Sequence, residues 1–297
     1  MAKKKTAPKA EPKADVKAME AKGKQVHRSD DGAEDERESY FVNGLAKGLK
    51  MIQVMGEREP LITLSEAAQA ASMTRASARR ILLTLEDLGF VGRRDERHFF
   101  LTPRVLSLGY SYLSSFPLWT FAEPVLEELV ERVTQTCSIA VLDDTELVYV
   151  LRIPVHRLLS QRVTIGSRLP LYCHSAGRIL LSGMTPAQLD RYFDSVDLRA
   201  HTSATVTDPK QLRRIVADTA KQGYAVVIGE MEHNISGLSV PIRSADGRII
   251  GAMNTSINRP NVKQGAMLDE FLAPLRQAVD KLNASLLATS GRHTRQL

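Results

Sequence analysis

The segment 65–101 constrains the fold of this chain more than any other part. An alanine-rich helical pattern, SEAAQAAS, begins at Ser65, which we expect to be its N-cap, and a short turn over 72–74 follows it. A second helical pattern, RASARRILLTLEDLG, comes next. The first pattern is rich in small residues that let the two helices approach closely, namely Ala67, Ala68 and Ala71. The segment therefore predicts two short helices that cross at a tight turn.

The second of these helices has an apolar stripe and a basic face. Thr74 is the expected N-cap, Gly89 the expected end, and the stripe consists of Ala78, Ile81, Leu82, Leu85 and Leu88. A helix that reads the major groove presents polar and basic side chains near its N-terminal half, opposite the core, and its N-terminus favours a phosphate. The candidates for DNA contact are Thr74, Arg75, Ser77, Arg79, Arg80 and Thr84. The alternative is a merely solvated basic helix face.

The residues after this helix predict a basic hairpin. Phe90-Val91 and residues 99–101 read as two short strands around a charged turn over 93–97. A helix over 40–55 precedes the whole segment, with an apolar stripe of Leu45, Leu49, Ile52 and Met55. Three helices followed by such a hairpin predict a winged helix-turn-helix domain, in which the wing would contact phosphates or the minor groove through Arg93, Arg94 and Arg97.

Composition supports these expectations and excludes others. The formal net charge is +6 and the isoelectric point about 9.3, which suits a polyanion-binding surface. Residues 1–39 carry almost no large apolar side chain, so we expect a disordered tail that is first basic and then acidic. Two cysteines form neither a disulfide framework nor a zinc cluster, and the sequence predicts no metal, no cofactor and no membrane span. We expect a cytoplasmic protein.

The remainder of the chain predicts a second domain of α+β class. Strand patterns at CSIAVLDD, ELVYVLRIP, YAVVIGE, GLSVPIRS and RIIGAMNTSI pair by hairpins, and helical patterns precede and follow them. The expected organisation is a tail over 1–39, a DNA-binding domain over 40–102, a linker helix over 103–118, a sensing domain over 119–288 and a tail over 289–297.

Five separated segments carry a resemblance to a known family. In chain order they are LAKGLKMIQVM, LITLSEAAQAASMTRASARRILLTLEDLGFV, LPLYCHSAGRILLSGM, QGYAVVIGEMEHNISGLSVPI and RIIGAMNTSI. Over residues 40–287 the chain resembles the IclR family of bacterial transcriptional regulators. The YFVNGLAKGLKM, LPLYC and AMNTSIN segments are most similar to the subgroup that governs protocatechuate, 4-hydroxybenzoate and β-ketoadipate breakdown.

The resemblance implies a GAF-like effector-binding domain that senses a small organic acid, and a homodimer or dimer of dimers on a palindromic double-stranded operator. The effector positions that it implies are Ser175, Ala176, Val227, Gly237, Asn254 and Ser256. Backbone N–H groups at a helix N-terminus suit a carboxylate, and two residues two apart on a strand share one face. For Asn254 and Ser256 the alternative is a solvent-facing polar pair.

The chain departs from the family pattern around the effector positions. Val227-Ile228 stand where the family usually has an acidic residue, and Ser236 stands where it has an arginine. Gly237 replaces a residue whose hydroxyl or thiol would touch the ligand, and the neighbouring His233 is either a replacement contact or, more commonly for such a histidine, simply exposed.

We predict a transcriptional regulator in which the ligand shifts the population of sensing-domain arrangements and, through the linker over 103–115, the spacing of the recognition helices. A rival hypothesis is a constitutive DNA-binding protein whose second domain only oligomerises. An enzyme that uses Cys173 beside His174 is a third, which we consider weak because neighbouring side chains on a helix do not face each other. Asp143-Asp144 are better explained as a turn than as paired catalytic carboxylates.

Overall fold

A computed structural model of the protein describes residues 40–57, 60–115, 117–155, 163–259 and 261–293. The chain forms two compact units, which divide between Leu106 and Ser107. The predicted N-terminal tail, residues 1–39, lies outside the described residues, as do residues 294–297.

In the described residues of the first unit, three helices pack with a small antiparallel sheet. The helices are α1 (Asn43–Gly56), α2 (Leu64–Ala70) and α3 (Arg75–Asp87), and the strands are β1 (Ile62–Thr63), β2 (Val91–Arg93) and β3 (His98–Leu101). The strands pair in the order β1-β3-β2. The helices and the hairpin of the winged helix-turn-helix prediction are confirmed, whereas β1 was not predicted because a two-residue strand leaves no periodic pattern.

Two details of this unit correct the sequence prediction. Thr63, not Ser65, caps α2: its hydroxyl accepts from the Glu66 N–H, and the Glu66 side chain accepts from the Thr63 N–H in return. The predicted apolar stripes were too long. Leu45 and Leu49 on α1 are 63% and 48% exposed, and Leu88 is 53% exposed because it is the C-cap of α3, where the chain turns away through Gly89 at a φ of +77°.

The core of the first unit forms where α1, α2 and α3 meet the sheet. The small residues Ala67, Ala68, Ala71 and Ala78 are buried, so α2 and α3 approach closely, as predicted. The remaining buried apolar residues are Met51, Val54, Met55, Ile62, Leu82, Leu85, Val91 and Phe99.

The second unit begins with two successive helices, α4 (Leu106–Ser115) and α5 (Pro117–Val133). A 3-10 turn over Pro103–Val105 precedes α4, and α5 begins at Pro117, a residue well suited to a first helical position. The chain then forms β4 (Thr136–Asp143), β5 (Glu146–Ile153), β6 (Arg168–Pro170), α6 (Ser175–Ser182), α7 (Pro186–Ser195), α8 (Pro209–Gln222), β7 (Ala225–Ile228), β8 (Ile235–Arg243), β9 (Ile249–Asn258), α9 (Gln264–Met267) and α10 (Ala273–His293).

The closing helical segment of the chain is not one continuous α-helix. A π-helical stretch, Leu268–Leu272, separates α9 from α10, and α10 continues to His293, into the predicted C-terminal tail. Phe271 within this stretch is fully buried, so a wider turn here aims the ring into the core.

The strands of the second unit form one six-stranded antiparallel sheet in the order β6-β5-β4-β9-β8-β7, which confirms the predicted α+β class. Helices cover both faces. One face packs against α5 and α10 and the other against α6 and its neighbours, and each face has its own apolar core. We call the second one the α6 face; every polar residue of the candidate effector site lies on it or at the start of α6.

A β-bulge decides which β5 side chains reach the α6 face. The pairing of β4 with β5 shifts between Ile139 and Ala140, so that Ile139 pairs with Leu151 while Ala140 pairs with Tyr149. Because two residues of β5 oppose one position of β4, Tyr149 and Arg152 face the same side although they are three residues apart. In a regular strand they would face opposite sides.

Candidate DNA-binding and effector sites

The exposed face of α3 has the character of a DNA-reading helix. The Thr74 hydroxyl accepts from the Ser77 N–H at 3.2 Å and caps the helix, as predicted. Arg75, Arg79 and Arg80 are exposed, and none of them has a carboxylate partner in the part of the chain that the structure describes. Such arginines are available to phosphates and base edges without first breaking an ion pair.

Thr84, the last predicted contact on α3, is exposed, and its hydroxyl donates to the Arg80 carbonyl at 2.9 Å. This internal bond holds the hydroxyl against the helix backbone, as is usual for a threonine in mid-helix. Its role in DNA contact stays a prediction.

The wing presents two of its three arginines at the tip. Arg93 lies in β2 rather than in the turn, its guanidinium pairs with Glu86 of α3 at 2.6 Å, and it stacks over the Phe99 ring at 5.2 Å. These contacts fix the wing against α3, which is a structural role that the sequence did not show. Arg94 and Arg97 are exposed in the turn.

Asp95 shapes this turn. Its carboxylate accepts from the backbone N–H groups of Arg97 and His98 at 2.8 and 2.9 Å. These bonds, with the His98 side chain, lower the pKa of Asp95 to about 2. The ionised carboxylate therefore braces the turn at neutral pH, and Arg94 and Arg97 are exposed beside it.

The α6 face carries a polar row that crosses four strands. Ser138 of β4 pairs in register with Arg152 on one side and with Asn254 on the other, and Asn254 pairs with Ser239 of β8. Cross-strand neighbours in one row present their side chains on the same face. The row therefore places a cation, an amide and two hydroxyls beneath the N-terminus of α6.

Arg152 is the charged member of this row. Its Nη1 donates to the Ser138 hydroxyl at 2.9 Å, and its guanidinium carbon lies 5.4 Å from the centre of the Tyr149 ring. Its Nε is buried and has no hydrogen-bond partner among the described residues. Burial lowers the pKa of Arg152. Sequence reasoning missed this residue, because only the bulge brings it to the α6 face.

His174 caps α6 and orders the same site. Its Nδ1 accepts from the Ala176 N–H at 3.2 Å, and its Nε2 lies 2.9 Å from the Tyr149 hydroxyl. Burial, and then the positive charges of Arg152 and Arg178, lower the pKa of His174 to about 4. The ring is therefore neutral at pH 7, and since Nδ1 accepts, Nε2 carries the proton and donates it to Tyr149. The Ala176 N–H is thus already bonded and is not the free donor for a carboxylate that we expected.

Two further predicted effector positions pack against each other. The Ser175 hydroxyl accepts from the Ser239 hydroxyl at 2.8 Å, and both residues are buried. A Cβ on Gly237 would come 2.5 Å from the Ser175 Oγ, so the glycine lets α6 lie directly on β8. Val227 is buried and pairs with Gly237. The close packing of α6 on β8 therefore explains why position 237 is a glycine in this chain.

Asn254 and Ser256 are not the solvent-facing pair of the alternative interpretation. Asn254 is 0% exposed, and its Nδ2 donates to the Ser256 hydroxyl at 3.2 Å. Its Oδ1 is buried without a hydrogen-bond partner among the described residues. A buried amide atom without a partner costs free energy and suits a ligand contact.

The departures at Ser236 and His233 do not bear on this site. Ser236 is buried and precedes Gly237 on β8, so its side chain points to the opposite face of the sheet, and an arginine there would not reach the α6 face. His233 is exposed, in agreement with the simpler of the two interpretations.

The geometry argues against catalysis by cysteine. Cys173 is buried, its Sγ lies 3.2 Å from the Met231 Sδ, and burial raises the pKa of its thiol to about 12. A thiol that stays protonated is a poor nucleophile. Asp144 occupies a turn at a φ of +57°, and Asp143 pairs with Arg168, so these carboxylates are structural.

Two absences complete the description. The described residues contain no group of three or more His, Cys, Asp or Glu side chains arranged to hold a metal ion. Among the same residues, no helix is both long enough and apolar enough to cross a membrane.

A winged helix-turn-helix unit joined to a sheet domain with a buried polar site is typical of ligand-responsive transcriptional regulators. Two family models match the chain: the IclR helix-turn-helix domain over residues 44–95 and the bacterial transcriptional regulator IclR C-terminal domain over residues 110–284. The chain belongs to the IclR family of transcriptional regulators.

Named relatives include regulators of aromatic degradation. The Pca regulon regulatory protein of Pseudomonas putida is 36% identical over 239 residues, covering 80% of this chain and 82% of the relative. The p-hydroxybenzoate hydroxylase transcriptional activator of Acinetobacter baylyi is 31% identical, covering 84% and 94%. These relatives are named as regulators, which agrees with a function other than catalysis.

Solved structures with the same fold include a transcriptional regulator from Rhodococcus sp. RHA1, with a TM-score of 0.74 and 37% identity, covering 84% of this chain and 100% of that one. An IclR homolog from Microbacterium hydrocarbonoxydans, solved in complex with 4-hydroxybenzoate, has a TM-score of 0.72 and 26% identity, covering 83% and 100%.

Proposed function

We propose that this regulator binds duplex operator DNA through α3 and the wing, and that a small organic acid from aromatic catabolism, bound on the α6 face, controls that binding. The observation that carries the proposal is the presence in one chain of an unpaired basic helix face and a buried, partly unsatisfied polar site. The relatives that govern the Pca regulon and p-hydroxybenzoate hydroxylase support the chemical class of the effector. The protein would work in the cytoplasm as a homodimer or dimer of dimers.

The DNA-binding half of the proposal assigns different tasks to different arginines. Arg75, Arg79 and Arg80 surround the N-terminal half of α3, from which a recognition helix reads bases. Arg94 and Arg97 would bind phosphates from the wing tip, and Arg93 would act mainly by fixing the wing to Glu86.

The effector half places the ligand among the polar residues of the α6 face. Asn254, Ser256 and Arg152 offer unsatisfied or partly exposed polar atoms there. Ser175, Ala176, Val227 and Gly237 would form the wall of the site rather than its hydrogen-bonding groups, because their own contacts are already made.

The rival function is a constitutive DNA-binding protein with an oligomerising second domain. The two functions differ in one measurable respect. Only the ligand-responsive regulator changes its operator affinity when a small acid is added, because only a ligand with different affinities for two states shifts their populations.

The recognition helix is tested by selecting duplexes from a random pool with the full chain and measuring their affinity for Arg79→Ala and Arg80→Ala. A base-reading arginine loses about 1 to 3 kcal/mol on the selected sequence only, whereas a phosphate contact weakens binding to all sequences and lowers the salt slope by about one. Arg214→Ala, an exposed arginine on α8, is the matched control. Unchanged affinity in both α3 variants would remove α3 as the recognition helix.

A further inference from the structure

We infer that Arg152 is the residue that holds the effector's carboxylate, and that the site takes a small monocarboxylic acid with a second polar group directed to Asn254. This inference rests on the proposed function and names the chemistry of its effector site. Neither the family match nor the pattern of sequence segments pointed to Arg152.

The first argument is a charge without a partner. Two arginines lie near His174 among the described residues: Arg178, which is buried, and Arg152, which is half-buried. Arg178 is fully neutralised, because Glu230 accepts from its Nη2 with both oxygens at 2.7 and 2.9 Å. Arg152 has no carboxylate partner among the described residues, although its Nε is withdrawn from water, and a cation that is partly desolvated without a counter-charge is costly.

The neighbouring stretch of chain offers no carboxylate either. Residues 156–162, which follow β5 and lie outside the described residues, read HRLLSQR and contain neither Asp nor Glu. The groups near Arg152 on other elements are the Ser138 hydroxyl, the Cys137 thiol and the neutral His174 ring, and on its own strand the Tyr149 ring lies beside it. A bound anion would therefore supply the missing negative charge.

The second argument is that Arg152 is held in place with donors to spare. The Tyr149 ring and the Ser138 hydroxyl both contact the guanidinium, and of its five N–H groups only one is used in a described hydrogen bond. Its buried Nε has no partner. A planar guanidinium group with free N–H donors can bind a carboxylate through two parallel hydrogen bonds.

The third argument concerns Tyr149 and His174. Because the neutral His174 ring donates its Nε2 proton to the Tyr149 oxygen, the hydroxyl proton of Tyr149 is available as a donor, close to the plane of its ring and beside Asn254. Burial raises the pKa of Tyr149 to about 12, so this proton is present at neutral pH. Tyr149 and Arg152 together offer donors and one net positive charge, which matches a monoanion.

Asn254 determines the second polar contact. It lies two strands from Arg152 in the same row, which is roughly 10 Å between backbones, and the long arginine side chain shortens the gap between the two polar ends. Its buried Oδ1 without a partner suits a ligand hydroxyl as donor.

The test compares an acid with its uncharged analogue on the full chain. Titration calorimetry measures the binding of 4-hydroxybenzoate, protocatechuate and 4-hydroxybenzamide to the wild type and to Arg152→Gln. We expect the wild type to bind the acids at least 10-fold more tightly than the amide. Arg152→Gln should lose about 10- to 100-fold for the acids and little for the amide, which is the range of one charge-assisted contact. Arg214→Gln is the control and should bind like the wild type.

The outcomes separate the inference from the function beneath it. If the acids bind the wild type and Arg152→Gln equally well, the Arg152 assignment is overturned while the acid-responsive regulator stands. If the wild type binds none of the acids although it binds selected duplexes, both the assignment and the effector class fail, and only the DNA-binding half survives.

A variant that does not fold leaves the inference testable. Arg152→Lys keeps the positive charge but cannot form two parallel hydrogen bonds, so we expect an intermediate loss of affinity for the acids. Cooperative thermal unfolding of this variant shows that it is folded. The comparison of acid with amide on the wild type requires no substitution at all. An equal affinity for the two would by itself contradict a carboxylate held by Arg152.

Discussion

His174 makes the stability of the second unit depend on pH in a defined direction. Its pKa in the folded protein is about 4, against an ordinary value of 6.5, because burial and the charges of Arg152 and Arg178 disfavour the protonated ring. The unfolded chain takes up a proton below pH 6.5, but the folded chain does so only below about 4. Stability is therefore lost as the pH falls from 6.5 to 4, and this group contributes no further loss below that.

The size of this loss of stability follows from the difference between the pKa of His174 in the folded chain and its ordinary pKa. A shift of about 2.5 pH units corresponds to about 3 kcal/mol over the whole interval, and about 2 kcal/mol of it is lost by pH 5. The matched variant is His174→Asn. Asparagine is a favourable N-cap whose side-chain oxygen can accept from the Ala176 N–H, but it does not titrate.

The assay is denaturant unfolding at pH 8, 6 and 5, followed by the fluorescence of Trp119, the chain's single tryptophan, in α5 of the second unit. Carboxylates titrate in both proteins, so their effects cancel in the difference. At pH 8 the wild type should be more stable, because the variant lacks the Tyr149 hydrogen bond, and by pH 5 that difference should have moved by about 2 kcal/mol toward the variant. Parallel stability curves for the two proteins would refute a neutral, charge-flanked His174.

Three other substitutions test the packing described above. Gly237→Ala should cost about 1 to 3 kcal/mol of stability in chemical denaturation, because the new methyl group meets the Ser175 hydroxyl. In the double variant, Ser175→Ala should recover part of this loss. If the losses of the two single variants simply add in the double variant, the contact is contradicted. Glu230→Gln should lower the free energy of unfolding by about 3 to 5 kcal/mol, because it leaves Arg178 buried without its counter-charge. Thermal or denaturant unfolding measures this loss, and a change near zero would contradict a buried ion pair. Thr74→Ala should cost about 1 kcal/mol of first-unit stability, measured by circular dichroism, and unchanged melting would contradict the cap.

The architecture was predictable because its signals are local. The cap at Thr74, the positive φ at Gly89 and the alternating strand patterns each leave a trace within a few residues. The error at Ser65 arose because Thr63 and Ser65 are both good caps, and only the bond from Thr63 to Glu66 distinguishes them. Leu45 and Leu49 show that an apolar stripe indicates which face is apolar, not how much of it the same unit covers.

The effector site was only partly predictable because its geometry is not local. The face of Arg152 depends on a bulge in β5, and a single extra residue in a ladder reverses the alternation on which strand reasoning depends. The bond between His174 and the Ala176 N–H was equally hidden, since histidine is not among the common capping residues. Asn254 and Ser256 were identified through family resemblance, and the structure adds that Asn254 is fully buried with one amide atom unsatisfied.

The most direct test of the account is the affinity of the full chain for a selected operator duplex, measured by fluorescence anisotropy with and without protocatechuate or 4-hydroxybenzoate. The account predicts that one of these acids changes the dissociation constant at fixed salt, and that 4-hydroxybenzamide at the same concentration does not. An operator affinity that stays constant with each acid, up to concentrations that saturate the protein in calorimetry, would contradict a regulator whose DNA binding is coupled to the α6 face.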